Sequence, residues 1–413
     1  MHVNNDFQRN SNISHVFETV WKNKEISRID ISRKLELYRS TVSNIITTLL
    51  NNNVIIEGEQ GTVTEKGGRK PVFLSVNKKF GCILGIELQP DYYVVSALAI
   101  NGHPFFSMKA ETPFNPSYVD KPDEMFVYVI DKIVESILPS VNNFPMPLLG
   151  ICLAIPGIVD IDKGIVIRSD PFNLRNFPYG EKLGNRYGVT FFIENDAKCC
   201  GWLHCAQNGD NVHKDQDDFI CVLAKNLSGI DKFKANGTYK KGIGIGLALA
   251  ISGRIVSGSK YAVGEYLSLS WRKNNKGQTG LAEDISSSVN LNKESYIEWV
   301  KDLFSTLTVA IPLLEPKAVF LHGQPQDKKQ IIYDVIHNDV SQFEAVLERY
   351  NSKLIIMDED QYEISSGAAL MFILKLFRLP FVEDSKSYTC ISWDKIFEIH
   401  NQSLNGQLLH APF

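Results

Sequence analysis

The chain has 413 residues, of which 44% are hydrophobic and 22% are charged, and its formal net charge at pH 7 is −4. This length predicts two or three compact domains, and the composition is typical of a soluble globular protein. No apolar run approaches the roughly 20 residues of a membrane-spanning helix, and the polar start of the chain lacks the features of a signal peptide. The seven cysteines show no C-x-x-C spacing, which is typical of buried thiols in a reducing cytoplasm.

Charge is distributed unevenly along the chain. Residues 1–80 contain 12 Lys and Arg against 8 Asp and Glu, a balance of +4, and the other residues, with 31 against 39, carry −8. A mildly basic N-terminal segment joined to an acidic body suggests a nucleic-acid-binding unit attached to a soluble domain.

The first segment has the apolar periodicity of three helices. Apolar residues recur at helical spacing from Ile13 to Trp21 and again from Val42 to Leu50. Between these stripes, Ile29, Ile31 and Leu35 are expected to face inward from a short helix, which a tight connection joins to the next one. This layout predicts a helix-turn-helix.

The last of these helices carries short hydrogen-bonding side chains and a guanidinium on its polar face. Such side chains suit base edges and phosphates when a helix lies in the major groove of DNA. A solvated helix face without a ligand is the alternative. The residues predicted to contact DNA are Arg39, Ser40, Thr41, Ser43, Asn44 and Thr47.

A wing follows the helices. Two β-rich arms, 54–57 and 72–76, flank a polar, glycine-rich turn that carries Lys66, Arg69 and Lys70. Cations on such a loop can follow a phosphate backbone or enter a minor groove. Residues 1–78 are therefore predicted to form a winged helix-turn-helix that binds double-stranded DNA, with protein contact by the wing as the alternative.

From Phe80 onward, strand and helix patterns alternate. Residues 82–106 are typical of β-hairpins, with Asn101-Gly102 as a turn. A helical pattern follows at 125–138, then a buried strand that runs into a Pro-Gly loop, and residues 179–204 predict helix, strand and helix. This alternation predicts an α/β fold.

Eight motifs follow one another along the chain: "GGRKP", "AIPGIVDIDKG", "NLRNFP", "VTFFIENDA", "GIGIGLALAISGRIVSG", "AVGE", "LEPKAVFLHG" and "SSGAALMFIL". In this order they resemble the ROK family, whose name joins repressors, open reading frames and sugar kinases. The resemblance implies a two-lobed, actin-like (ribonuclease H-like) ATPase-type fold with a sugar-binding cleft. It implies a first lobe at 79–195, completed by a C-terminal helix within about 364–413, and a second lobe at 196–363. A helix-turn-helix ahead of this fold marks the repressor branch.

The nucleotide site of the family's kinases is altered here. Residues 87–91 stand where the kinases have an Asp-x-Gly-Gly-Thr phosphate loop, and Pro90 has no N–H to donate. An insertion at 224–241 precedes the glycine run of Gly242, Gly244 and Gly246, which we interpret as packing and turn geometry, and Gly323-Gln324 replaces a Gly-Gly pair. ATP-dependent turnover is not expected, so the chain is predicted to be no enzyme and to need no cofactor.

Four residues match the sugar contacts of the family. The resemblance implies that Asn195 and Asp196 hydrogen-bond sugar hydroxyls, with Glu265 and Asn173 as further contacts. The alternatives are that Asp196 caps the following helix, that Glu265 is a surface carboxylate, and that Asn173 is a turn residue.

The zinc motif of the family's repressors is missing. The resemblance places its ligands in the segment 265–283, where this chain has Ser268, Asn274, Lys276 and Leu281. Lysine and leucine are not zinc ligands in this setting, so no metal is predicted.

These observations favour a transcriptional regulator, most simply a repressor of carbohydrate-metabolism genes that responds to a sugar or sugar phosphate. A homodimer or homotetramer would present its winged helices to a palindromic operator. The alternatives are a DNA binder with a decayed sugar site that a protein partner controls, and a sugar kinase that retains a DNA-binding arm. The tail 379–413 has a short amphipathic piece, and packing on the body and oligomer contact both remain open for it.

Overall fold

A computed structural model describes most of the chain. The residues described are 2–23, 25–60, 71–184, 186–207, 217–230, 232–233, 239–275, 277–324, 326–378 and 391–404. None of the helices in these ranges is both long and apolar enough to span a membrane.

The N-terminal unit consists of helices and a small antiparallel sheet. The helices are α1 (His2–Lys22), α2 (Arg28–Lys34) and α3 (Arg39–Asn51), and the strands β1 (Ile26–Ser27), β2 (Ile55–Gln60) and β3 (Val72–Val76) pair in the order β1-β3-β2. Ser27 caps α2 by accepting a hydrogen bond from the Asp30 N–H. The expected inward position of Ile29 is wrong, because its side chain is 45% exposed while Ile31 is fully buried. Two residues apart on a helix point about 200° away from each other, so one short helix cannot bury both.

The first large sheet begins after the wing. Its strands are β4 (Cys82–Leu88), β5 (Tyr92–Ala99), β6 (Pro104–Glu111), β7 (Leu148–Ile155) and β11 (Thr190–Asn195), in the order β11-β7-β4-β5-β6. Strands β4, β7 and β11 are parallel, whereas β5 and β6 are antiparallel, and the turn at Asn101-Gly102 is as predicted. The helix α4 (Pro122–Val141), the short helix α5 (Tyr179–Lys182) and a small sheet of β8 (Ile158–Asp160), β9 (Ile165–Ser169) and β10 (Leu174–Phe177) belong to the same part of the chain.

The second large sheet has the order β14-β13-β12-β15-β16. Its strands are β12 (Phe219–Ile230), β13 (Tyr239–Ile251), β14 (Arg254–Ile255), β15 (Ala318–His322) and β16 (Lys353–Ile356), accompanied by the helices α7 (Glu283–Ser288), α8 (Lys293–Leu314), α9 (Lys329–Asp339) and α10 (Ser341–Arg349). The described part of the insertion 224–241 continues the β12–β13 ladder, which pairs Ile230 with Tyr239. The insertion therefore lengthens a hairpin.

Two helices lie between the sheets and pack closely against each other, α6 (Asp196–Gln207) and α11 (Glu363–Leu376). A Cβ added at Gly367 would lie 2.0 Å from the carbonyl oxygen of Cys199, and one added at Gly85 on β4 would lie 1.7 Å from that of Ser365. Glycine is therefore required where α11 meets α6 and where it meets the first sheet. The domain boundaries at 78, 195 and 363 stay a prediction.

The C-terminal helix α12 (Trp393–Leu404) packs on α1. The indole ring of Trp393 lies edge-on to Phe17 at 4.8 Å between ring centroids, and its N–H donates to Ser14 Oγ at 3.0 Å. His400 stacks on Phe80 and hydrogen-bonds its carbonyl oxygen at 2.7 Å. For its described part, the amphipathic tail therefore covers the joint between the winged helix-turn-helix and the first sheet.

Candidate functional site

Helix α3 turns its polar face outward because its apolar face is fixed in the core. Val42, Ile46 and Leu49 are almost completely buried. The turn before α3 is held by Ser32 Oγ, which donates to the Leu37 carbonyl at 2.7 Å. Of the residues predicted to contact DNA, those that lie exposed are Arg39, Ser40, Asn44 and Thr47, and those that are half-buried are Thr41 and Ser43.

Tyr38, in the connection before α3, was not among the residues predicted to contact DNA. Its side chain is 85% exposed and stands directly before the first turn of that helix. An exposed phenol at this position can hydrogen-bond a phosphate. The wing residues Lys66, Arg69 and Lys70 lie outside the described residues.

Asn195 and Asp196 lie together where β11 ends and α6 begins. Asn195 Oδ1 accepts a hydrogen bond from the Lys198 N–H at 3.0 Å, and its Nδ2 donates to the Gly157 carbonyl at 2.9 Å. In an N-cap, a side-chain oxygen accepts a hydrogen bond from the backbone N–H of the residue three positions later in the chain. Asn195, rather than Asp196, therefore provides this capping contact for α6.

The carboxylate of Asp196 is buried and hydrogen-bonded on both oxygens. Oδ1 accepts from the Ala197 N–H at 2.9 Å and from Asn195 Nδ2 at 3.3 Å, and Oδ2 accepts from Gln89 Nε2 at 3.2 Å. Burial raises the pKa of Asp196, and nearby Lys225 together with the Gln89 hydrogen bond opposes the shift. A carboxylate held this way can accept hydrogen bonds from hydroxyl groups of a ligand.

An ion pair that the sequence analysis did not predict lies beside Asp196. The ammonium of Lys225 on β12 contacts Glu87 Oε1 on β4 and donates to the Tyr92 hydroxyl at 3.1 Å. Tyr92 in turn donates to Glu87 Oε1 at 3.0 Å. The pair joins the two large sheets at residues 87–91, the segment that the resemblance matches to the phosphate loop of the kinases. Glu87 itself indicated such a pair in the sequence, because a carboxylate that is buried within an apolar run such as "CILGIEL" is normally paired with a cation.

Glu265 and Asn173, the other two predicted sugar contacts, both lie near Asp170. The side chain of Glu265 is 43% exposed and pairs with Arg168 at 3.7 Å, and Arg168 also pairs with Asp170 at 3.4 Å. Burial raises the pKa of Glu265, with Arg168 lowering it and Asp196 raising it. Asn173 adopts φ +54° in a turn in which its N–H donates to the Asp170 carbonyl. The geometry gives Asn173 a turn role, and its sugar contact stays a prediction.

Two of the glycines that resemble a nucleotide loop lie in a strand with little room for a side chain. Gly244 and Gly246 lie in the β13 ladder opposite Lys225 and Leu223, and a Cβ at Gly246 would lie 2.9 Å from Ala197 Cβ on α6. Gln324 is buried and donates to the Ala224 carbonyl at 2.6 Å, while its Oε1 accepts from Tyr296. The glutamine side chain thus fills space where the resemblance implies a Gly-Gly pair.

Hydrogen bonds hold the loop where the resemblance implies zinc. Ser268 Oγ donates to Asp302 Oδ1 at 2.7 Å, and Gln278 exchanges two hydrogen bonds with the backbone of Ile245. Leu281 packs against the core of the second sheet, Asn274 is exposed, and Lys276 lies outside the described residues. The prediction that no metal binds considered this loop alone, whereas side chains of metal-ligating type converge elsewhere, at His204, Cys221 and His322.

The chain is similar to known regulators of transcription. Residues 109–267 match a model described as the ROK family. The chain is 29% identical over 182 residues to the xylose repressor of Caldicellulosiruptor bescii, which covers 44% of this chain and 44% of that protein. It is 20% identical over 378 residues to the DNA-binding transcriptional dual regulator NagC of Escherichia coli, covering 82% of this chain and 86% of that one. The chain spans about half the length of the xylose repressors that it matches.

The same relationship is visible in the fold. A crystal structure of a ROK family transcriptional regulator, a homologue of the E. coli MLC protein, aligns with a TM-score of 0.66 and 16% identity over 95% of this chain and 100% of that one. This similarity confirms the predicted fold class, a winged helix-turn-helix followed by a two-lobed actin-like α/β fold. The chain contains a ROK-family domain.

Proposed function

We propose that this protein is a DNA-binding transcriptional regulator, acting as a repressor, whose operator binding is controlled by a sugar or sugar phosphate. The observation that carries the proposal is the combination of an exposed polar face on α3 with the Asn195–Asp196 pair in one ROK-family chain. The xylose repressors and the N-acetylglucosamine repressor to which it is similar make a pentose or a hexosamine the first effectors to test. Operator binding as a dimer, in the cytoplasm, is part of this proposal.

Phosphoryl transfer is not part of the proposed function. The Lys225–Glu87 pair, Pro90 and the buried side chain of Gln324 stand where the resemblance implies phosphate and nucleotide contacts. Phosphoryl transfer depends on open backbone donors and a metal at the phosphates. Sugar-dependent ATP hydrolysis by the purified protein would contradict this part of the proposal.

DNA binding is tested first, with the full-length protein and a random DNA library to select the operator. Arg39→Ala should weaken binding to the selected site and to unrelated DNA alike, and should reduce the slope of log affinity against log salt by about one. Arg349→Ala, an exposed arginine on α10 of the second lobe, is the matched control and should bind like the wild type. Equal losses in both variants would contradict a role for α3.

Control by a sugar is tested by titrating the protein–operator complex with a panel that includes xylose, N-acetylglucosamine and their phosphates. One of them should release the DNA from wild-type protein and from Asp334→Ala, an exposed carboxylate on α9, but not from Asp196→Ala. Linkage requires the same sugar to bind less tightly when DNA is present.

A DNA binder with a decayed sugar site is the second candidate. It is favoured by the crowding of Asp196, whose oxygens already accept hydrogen bonds from Gln89, Asn195 and Ala197. Operator binding that no member of the panel changes would favour this reading over the first.

A further inference from the structure

A compact group of buried metal-ligating side chains lies between the two large sheets. Helix α6 contributes Cys200 and His204, β12 contributes Cys221, β15 contributes His322, and α11 contributes Glu363. All five are buried, and His322 and both thiols are completely so. Cys200 and His204 are four residues apart and share one face of α6.

The spacing of His204, Cys221 and His322 suits a single small ion, and Cys200 belongs to a second group that shares His322 with the first. The ligand atoms of His204, Cys221 and His322 all lie within 4.8 Å of one another, as do those of Cys200, His322 and Glu363. Tetrahedral zinc, with Zn–N near 2.0 Å and Zn–S near 2.3 Å, separates its ligand atoms by about 3.3 to 3.8 Å. The two Nε2 atoms of His204 and His322 are 2.8 Å apart, so zinc binding would require these atoms to separate by about 0.5 Å.

The group also has the outer contacts of a metal site. Glu363 Oε2 lies 2.7 Å from Nδ1 of His322, and a carboxylate accepting from Nδ1–H leaves Nε2 free to ligate, as in carboxylate–histidine–zinc arrangements. The ring of His204 stacks on Phe320 with centroids 3.7 Å apart, which fixes its orientation and excludes water on that side.

We propose that His204, His322 and Cys221 bind one zinc ion between the sheets, and that the thiol of Cys200, which lies within 4.8 Å of His322, moves in as the fourth ligand. Two thiolates and two imidazoles are the ligand set of closed structural zinc sites. The site is separate from the loop 265–283, where the resemblance places zinc, and it departs from the prediction of no metal. The proposal does not depend on the proposed function.

Such an ion would connect α6, the helix that begins at Asp196, to the second lobe. Cys200 and His204 lie on α6, which begins at Asp196, whereas Cys221 and His322 lie on β12 and β15. Zinc would therefore fix the position of α6 relative to the second sheet.

The experiment uses the full chain without a polyhistidine tag, because such a tag binds metal itself. Metal content is measured after growth with zinc, and the protein is then stripped with a chelator and titrated with Zn²⁺ and with Co²⁺. Cys221→Ser removes one proposed ligand. Cys199→Ser is the matched control, because Cys199 is a buried neighbour of Cys200 on the same helix and is not part of the group.

We expect about one zinc per chain in the wild type and in Cys199→Ser, and much less in Cys221→Ser. Cobalt should give tetrahedral visible bands and a thiolate charge-transfer band, which the loop 265–283 cannot produce because it contains no cysteine. Zinc should also raise the Tm of the stripped wild type, a result that needs no variant to fold. Three results would overturn the proposal and leave only a hydrogen-bonded network. They are a wild type that takes up neither metal, a cobalt spectrum without a thiolate band, and an equal loss of zinc in both variants.

Discussion

Lys225 joins the two large sheets through its ion pair with Glu87. Glu87 is 2% exposed, and a buried carboxylate without a partner costs several kcal/mol. Burial lowers the pKa of Lys225, but Glu87, Tyr92 and Asp196 outweigh it and raise that pKa well above the usual value. Lys225 is therefore charged at neutral pH.

Replacing Lys225 tests this pair. Lys225→Met should lower the free energy of unfolding by about 3 kcal/mol, because it leaves the buried Glu87 without a cation. The double variant Lys225→Met, Glu87→Gln should recover most of that loss. Urea unfolding of the wild type, both single variants and the double variant gives the coupling energy, and strictly additive losses would contradict an interaction between the two lobes.

Asp196 predicts a pH dependence of stability. Burial raises the folded-state pKa of Asp196 above its ordinary value, so the stability that this shift contributes is complete below the unfolded-state pKa and is lost as the pH rises through the folded-state pKa. Asp196→Asn cannot ionise. Relative to the wild type, its free energy of unfolding should therefore increase between about pH 4 and pH 7. A difference that stays constant over urea unfolding curves in this range would show that burial does not perturb Asp196.

Single residues were predictable from the sequence where their partners are adjacent in the chain. Asn195 and Asp196 were predicted together, although the capping contact at Lys198 belongs to Asn195. Lys225 was not predicted, because its partner Glu87 is 138 positions away. Periodicity within one strand carries no information about such a pair.

Among the elements, α6 and α11 depend on the glycine at their closest contact. Helix propensity alone predicts that Gly367→Ala stabilises the protein by about 1 kcal/mol. The added Cβ would meet the backbone oxygen of Cys199 at 2.0 Å, and overpacking of this kind costs about 1 to 3 kcal/mol.

Gly367→Ala is therefore expected to destabilise the protein by about 1 kcal/mol or more, against its helix propensity. Gly277→Ala is the control, because nothing lies within 4 Å of a Cβ at that position, and its effect should stay within about 0.5 kcal/mol. Thermal or urea unfolding measures both, and a stabilised Gly367→Ala protein would show that α6 and α11 are farther apart.

Helix α12 is expected to stabilise the joint between α1 and the first lobe through Trp393. Trp393→Ala should cost about 3 kcal/mol, because the ring is 1% exposed. Trp393→Phe, which keeps a ring but loses the bond to Ser14, should cost about 1 kcal/mol beyond the change in ring size. Leu313→Ala, at a side chain that is 77% exposed, provides the surface control in urea unfolding. If Trp393→Ala were as stable as Leu313→Ala, the result would contradict the packing of Trp393 against α1.

Elements with strong periodicity were predicted well, and elements placed by distant contacts were not. The helices of the N-terminal unit followed from stripes such as Val42 to Leu50, while Ile29 was misplaced because a helix as short as α2 packs on one side only. The contact of α12 with α1 joins residues 379 positions apart, so the sequence left the role of the tail open.

At the scale of the whole molecule, the order of motifs predicted the fold class, and the fold brings together residues whose relation the sequence did not reveal. His204 and His322 are 118 positions apart and their ring nitrogens lie 2.8 Å from each other. The sequence of the loop 265–283 gives no indication of this group, because the members of the group come from separate helices and strands. Metal-ligating residues dispersed along a sequence become recognisable only when the sheets are assembled.

The contacts of α1 determine how freely the winged helix-turn-helix can turn relative to the first sheet. Trp21 Nε1 donates to the Ile100 carbonyl at 3.0 Å, and Trp393 and His400 hold the opposite side of the joint. A winged helix that these contacts fix to its lobe cannot rotate independently to reach a half-site in a different position. In a dimer, inserting about five base pairs between half-sites turns one of them to the opposite side of the duplex. If the protein binds DNA as the proposed dimer, we expect its affinity for such an operator to fall to that of a single half-site, so recognition would depend on the helical phase of the two half-sites as well as on their bases.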